Sequence, residues 1–236
     1  MTETARLGLP LVEAAQAQKH VTVNEAFARL DALTGLVVES VGTTAPPPAP
    51  AEGAVYAVGA GASGDWAGAD GFLALWLNNG WEFLSPGVGW RAWDVAAGHI
   101  VTFDGTGWVG GVAAFGPQGS ALVHEVIEVD HTVGSGSVST VSGALPDGAL
   151  IFGVSARVLS AVGGSGSIDL GVSGASGRYG QGLGVAAGST LADIREAPVA
   201  YPGGGDLVLT ASGGAFNGTG SVRLAVHVAR IEAPRA

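Results

Sequence analysis

The chain has 236 residues, 41 of them glycine, no cysteine and a formal net charge of −10, which excludes disulfides and thiolate metal sites and opposes binding to phosphate backbones. Charged residues make up only 13%, about half the usual share, and mean hydropathy is +0.39, a balance that fits either a membrane protein or a subunit burying much of its outside in an oligomer. No apolar run approaches the ~18 residues of a spanning helix, because the longest candidate, 149–162, is broken by Gly153, Ser155 and Arg157. Membrane insertion is therefore not expected; an obligate oligomer is the preferred reading and a monomer with a Gly/Ala/Ser-rich skin the alternative.

Residues 7–33, LGLPLVEAAQAQKHVTVNEAFARLDAL, carry the one sustained helical period. Thr22-Val23-Asn24-Glu25 has the form of a capping box, which predicts a helix starting there. Val23, Phe27 and Leu30 follow the i, i+4, i+7 spacing, Ala26 and Leu33 widen the stripe, and Gly35 supplies the stop. Upstream, residues 11–20 have good helix propensity but too few large apolar side chains to pack without a partner surface.

Beyond Gly35 the pattern is strand and turn. Residues 36–41 read as a short strand and 45–50, APPPAP, as an extended connector. Short strands are expected at 55–58, 72–77, 81–84, 89–94, 100–103 and 107–109, with tight turns at Asn79-Gly80 and Asp104-Gly105, each followed by a tryptophan. The result is a small antiparallel unit leaning on the helix, over residues 1–110. Residues 111–120 are Gly-rich and aperiodic and are expected to be a linker. From 121 to 236 alternation with period two recurs: Ile127, Val129 and Val133; Phe152, Val154, Ala156 and Val158; Ile168, Leu170 and Val172; Leu207 and Leu209; Val222, Leu224, Val226 and Val228. Each set can line one sheet face. The expected fold class is thus mainly β: an N-terminal helix with a small antiparallel β unit, followed by a jelly-roll-like antiparallel sandwich.

The helix segment, with its AQAQKHVTVNEAFARLD core, the Pro-rich step and then WRAWDVAAGHIVTFDGTGWV, closely resembles a domain of unknown function found in fibre proteins of prophages and of alphaproteobacterial gene transfer agents. The resemblance covers roughly Arg6 to Val109. The remainder, from FGVSARVLSAV through RYGQGLGVAAGST to GTGSVRLAVHV, is similar to the distal β-domain that often follows it. What the resemblance implies is a trimeric tail fibre or head spike of a phage-like particle. Its N-terminal domain would attach to baseplate or capsid proteins, and its distal domain would bind host surface polysaccharide. No apolar leader follows Met1, so the expected route is synthesis in the cytoplasm and release by lysis within the particle.

Chemistry-bearing motifs are sparse. The five histidines show no metal-ligand spacing, and His124 and His131 read as satisfied strand or loop residues. His227 falls on the face opposite the apolar one, toward an interface or water. Residues 177–184, GRYGQGLG, lack the Lys-Ser/Thr ending of a phosphate loop. Glu125 with Glu128 and Asp193 with Glu196 carry no signature of a glycosidase pair, and no Ser-His-Asp pattern stands out, so no enzyme, cofactor or metal is expected; a fibre-borne polysaccharide depolymerase or esterase is the alternative. Candidate ligand-binding residues are polar and aromatic groups on turns: Arg178, Tyr179 and Gln181 in GRYGQG, and Asp193, Arg195 and Tyr201 in ADIREAPVAYPGG. These residues could equally close a subunit interface. The six tryptophans all fall between 66 and 108 and suit a core, except Trp66, whose GDWAG setting reads as a loop that could offer an aromatic plane to sugar.

Overall fold

The computed structural model describes residues 3–12 and 19–234. Its chain divides into two compact units, residues 1–112 and 113–236.

The first unit opens with α1 (Lys19–Leu33). The helix is already formed at Lys19, so Thr22 lies inside it and the capping-box motif does not mark its start. Asn24 of the same motif bonds outside the helix: its side chain accepts from Val12 N at 2.8 Å and donates to Val12 O at 3.1 Å. The part of the upstream expectation that falls on 13–18 lies outside the described residues. Gly35 stops the helix as expected, with φ +57°. Arg6 completes that end by donating to Ala32 O at 2.7 Å and Gly35 O at 2.8 Å. Asp31, buried in the last turn, accepts from Thr4 Oγ1 at 2.9 Å, from Arg6 N at 2.8 Å and from Leu7 N. The segment before the helix is thereby hooked onto it.

Two four-stranded sheets follow. β1 (Val37–Val38) and β2 (Val41–Thr43) replace the single expected strand, and β3 (Val55–Val58), β4 (Leu73–Leu77), β5 (Gly80–Leu84), β6 (Arg91–Asp94), β7 (His99–Phe103) and β8 (Trp108–Gly110) complete them. The orders are β1-β6-β7-β8 and β2-β3-β4-β5. β1 runs parallel to β6 and β2 parallel to β3, against the purely antiparallel expectation. A parallel pair needs a long crossover, which the Pro-rich segment supplies between β2 and β3. The first hairpin turns on Asn78 and Asn79, at φ 50° and 60°, one position earlier than expected, and Gly80 already pairs with Leu77. Val38, Val55, Leu73, Leu75, Ala92 and Val101 form the core together with Ala32 of the helix.

The second unit contains β9 (Val112–Phe115), β10 (Ala121–Thr132), β11 (Ser135–Gly136), β12 (Val138–Leu145), β13 (Ala149–Ser160), β14 (Ser167–Val172), β15 (Ala175–Gly184), β16 (Thr190–Leu191), β17 (Val199–Ala200), β18 (Gly205–Ser212), β19 (Phe216–Asn217) and β20 (Ser221–Glu232). Part of the stretch 111–120 expected as a linker is therefore strand: β9 lies beside β10 at the sheet edge. One sheet has the order β16-β13-β20-β10-β9, with β17 also on β13, and the other β12-β18-β14-β15. The long strands β10, β12, β13 and β14 alternate between the two sheets, β15 stays beside β14, and the last long strand returns between β10 and β13. This is the double Greek key of a jelly roll. The expected alternating residues fill its core: Ile168, Leu207, Leu209, Val222, Leu224 and Val226 are all fully buried.

One residue departs from that alternation. Ile151 pairs with Val228 and Gly153 with His227, so Phe152 is an extra residue in β13. Such a bulge shifts the phase of the pleat. Ile151, Val154, Ala156 and Val158 face inward, and Phe152, expected among them, is displaced from the core face.

Candidate functional site

The two segments proposed for ligand binding do come together, but they satisfy each other. GRYGQG is not a turn: it belongs to β15, where the register against β14 slips between Ile168 and Leu170 and Gly182 sits at φ +73°. Tyr179 is 5% exposed and its hydroxyl donates to Tyr201 Oη at 2.9 Å. Burial and that hydrogen bond push the Tyr179 phenol well above its usual pKa. Arg178 pairs with Glu196 at 3.1 Å, while Arg195 pairs with Asp193 at 2.9 Å and donates to Gln181 Oε1 at 3.2 Å. The space left among Arg178, Tyr179, Asp193 and Arg195 is about 10 Å³, room for about one water. These residues fasten the 192–198 loop to β15 and leave no sugar-sized opening there.

Trp66 is likewise not on offer to a ligand. Its loop is folded: Gly64–Trp66 make a 3-10 turn, and Asp70 accepts from Gly61 N and Ala62 N, both at 2.9 Å. Those two amides hold the Asp70 carboxyl below the usual carboxylate range. The indole turns inward to 0% exposure and packs 5.5 Å from Tyr56 and 5.1 Å from Trp81. The exposed indole of this unit is Trp93, 46% accessible, opposite Ile100 on β7.

A larger opening lies on the outer face of the distal jelly roll, where β10, β20 and β13 run side by side. It is a groove of about 360 Å³ lined by His124, Phe152, Gly153, Val154, Ser155, Asp193, Ile194 and His227. The bulge brings Phe152 within 5.8 Å of the His124 ring, centroid to centroid. Gly153 leaves the floor open beside Asp193 O and Ile194, which a Cβ there would meet at 3.6 and 3.8 Å. Ser155 Oγ and His227 Nε2 share a hydrogen bond of 3.0 Å, joining residues 72 apart in sequence. An aromatic plane, two imidazoles, a hydroxyl and the Asp193 backbone carbonyl thus surround an apolar floor, which suits an amphiphilic ring with hydroxyls on its edge.

Sequence reasoning placed His227 on the correct face but did not pair it with Ser155, because only strand register makes them neighbours. It also assigned Phe152 to the core. Elsewhere His131 bonds Ser139 Oγ at 2.7 Å and so is a satisfied strand histidine. Among the described residues no cluster of His, Asp and Glu has metal-binding geometry, and no helix is long and apolar enough to cross a membrane.

Fold and groove together define a two-unit β protein whose distal jelly roll bears an amphiphilic groove. Residues 23–109, which span most of α1 and β1 to β8, match the family described as "Protein of unknown function (DUF2793)". Among solved structures the chain is similar to one titled "Cyanophage Pam1 capsid asymmetric unit", at 20% identity and TM-score 0.33, covering 50% of this chain and 89% of that one. No curated protein matches it.

Proposed function

We propose that the chain is a structural and receptor-binding subunit of a phage-like particle, a tail fibre or head spike, that attaches to host surface polysaccharide. The observation that carries this reading is the groove formed by His124, Phe152, Ser155 and His227 on the outer face of the jelly roll, which has the aromatic face and flanking hydrogen-bonding groups that sugar rings require. The resemblance of residues 6–109 to fibre proteins supports assigning particle attachment to the N-terminal unit. The test is retention of the purified chain on host surface polysaccharide, with Phe152→Ala expected to weaken it about tenfold or more.

A second reading is favoured by one contact. Ser155 and His227 stand as a nucleophile and base would, which fits the esterase alternative. Against it, no carboxylate orients His227 among the hydrogen bonds of the described residues, and a dyad without an orienting group is a weak catalyst. Acyl groups released from host polysaccharide by the wild-type chain and not by Ser155→Ala would establish this reading over the first.

A further inference from the structure

The outer face of the six-stranded sheet carries a charge that nothing among the described residues answers. Along one row of the register, Asp130 of β10 faces Arg223 of β20, and Arg223 faces Arg157 of β13. Arg223 spends both carboxylate oxygens of Asp130, in a fork of 2.7 and 2.8 Å. That pairing holds Asp130 below the usual carboxylate range, and Glu128, also on β10, acts on Arg223 as well. Along this row acid is therefore gathered on the β10 side. Arg157, exposed on the β13 side, has no carboxylate partner among the described residues, although it sits directly opposite another cation, an arrangement that is unfavourable between strands.

Arg157 follows Ser155 by two residues, so the two side chains leave β13 on the same face. The groove floor runs from Phe152 to Ser155, and Arg157 stands beyond its Ser155 end. From Phe152 to Arg157 the strand covers about 16 Å at ~3.3 Å per residue, the reach of a short oligosaccharide rather than one ring.

We infer that the groove takes an acidic saccharide, its ring face against Phe152 and its carboxylate in the fork of Arg157. The inference rests on the polysaccharide-binding reading and names the chemical class of its ligand. A guanidinium matches a carboxylate with two parallel hydrogen bonds, and here it would also relieve the repulsion between Arg157 and Arg223. His227 and Ser155, between the two ends, supply hydrogen bonds to ring hydroxyls.

The experiment compares three uronate or sialate polymers, polygalacturonate, hyaluronate and polysialate, each with its carboxyl-reduced form, in binding to the full chain. At least one acidic polymer should bind about tenfold tighter than its neutral counterpart. Arg157→Gln, which should melt at the wild-type temperature because Arg157 is exposed, should lower that acidic affinity to the neutral value and leave the neutral affinity unchanged. Phe152→Ala should weaken both. Equal affinity for acidic and neutral forms, or an acidic preference that survives Arg157→Gln, overturns the inference while leaving saccharide binding in place. Failure to bind any of the six polymers overturns the inference, and failure on host polysaccharide as well removes the underlying reading.

Discussion

Phe152 owes its position to one extra residue in β13, and that residue decides where the site is. By period two alone, Phe152 belongs with Val154, Ala156 and Val158 in the core; the bulge moves it to the groove and puts Ile151 inside instead. Nothing local marks a bulge at Phe152-Gly153, because the slip exists only relative to β20. Trp66 shows the opposite error. A Gly- and Ala-rich stretch suggests an open turn, yet Asp70 closes the loop through two backbone amides and the indole becomes core. Trp66→Ala should therefore destabilise the first unit by about 3–5 kcal/mol in urea unfolding without weakening polysaccharide binding; a loss of binding with stability unchanged would restore the indole as a ligand contact. A third residue, His131, gives the molecule a pH dependence. Burial pushes its pKa below the ordinary 6.5, so the folded state disfavours the imidazolium. Stability from this group is complete above pH ~6.5 and declines as pH falls from there through the lowered folded value. Between about pH 7 and about pH 5 the melting temperature of the wild type should fall more than that of His131→Gln; parallel curves would show that His131 does not titrate on unfolding.

The elements were legible to differing degrees. The jelly-roll strands announce themselves, since one face of β13, β14, β18 and β20 is largely buried and period-two alternation is the signature of that condition. Inward residues such as Leu209, Leu224 and Val226 follow it, and Phe152 departs from it at the bulge in β13. Parallel pairing of β1 and β2 was hidden, because it depends on which sheet edge each strand reaches. For α1 the expected apolar stripe is real in sequence, but only its Leu33 end packs against the core of its unit. Leu30 is 55% exposed and Val23 38%, while Asp31 and Ala32 are buried at the C-terminal end. We propose that the uncovered part of the stripe is a surface for a partner. Deleting residues 1–35 should abolish attachment to the particle and leave the distal jelly roll folded, as judged by its unfolding transition; attachment retained by the deletion would place the docking surface elsewhere.

At the scale of the whole molecule, low charge and high hydropathy become intelligible if copies associate. Exposed apolar residues occur on both units, among them Leu30, Trp93 and Ile100 in the first and Val126, Ile194 and Ile231 in the second, which is what a subunit that shares interfaces would present. A trimer is the expected assembly, with a native mass about three times the 23.2 kDa of one chain by light scattering. A mass of one chain at micromolar concentration would remove that account of the uncharged surface. On the proposed reading the outer-face groove of the jelly roll, and not the Tyr179–Tyr201 cluster beside it, holds host polysaccharide. The most direct measurement of that claim is equilibrium binding of purified host surface polysaccharide to the wild type, Phe152→Ala and Tyr201→Phe. The expected result is binding by the wild type and by Tyr201→Phe, with affinity reduced about tenfold or more in Phe152→Ala; wild-type affinity in Phe152→Ala, or its loss in Tyr201→Phe at unchanged stability, would contradict the claim.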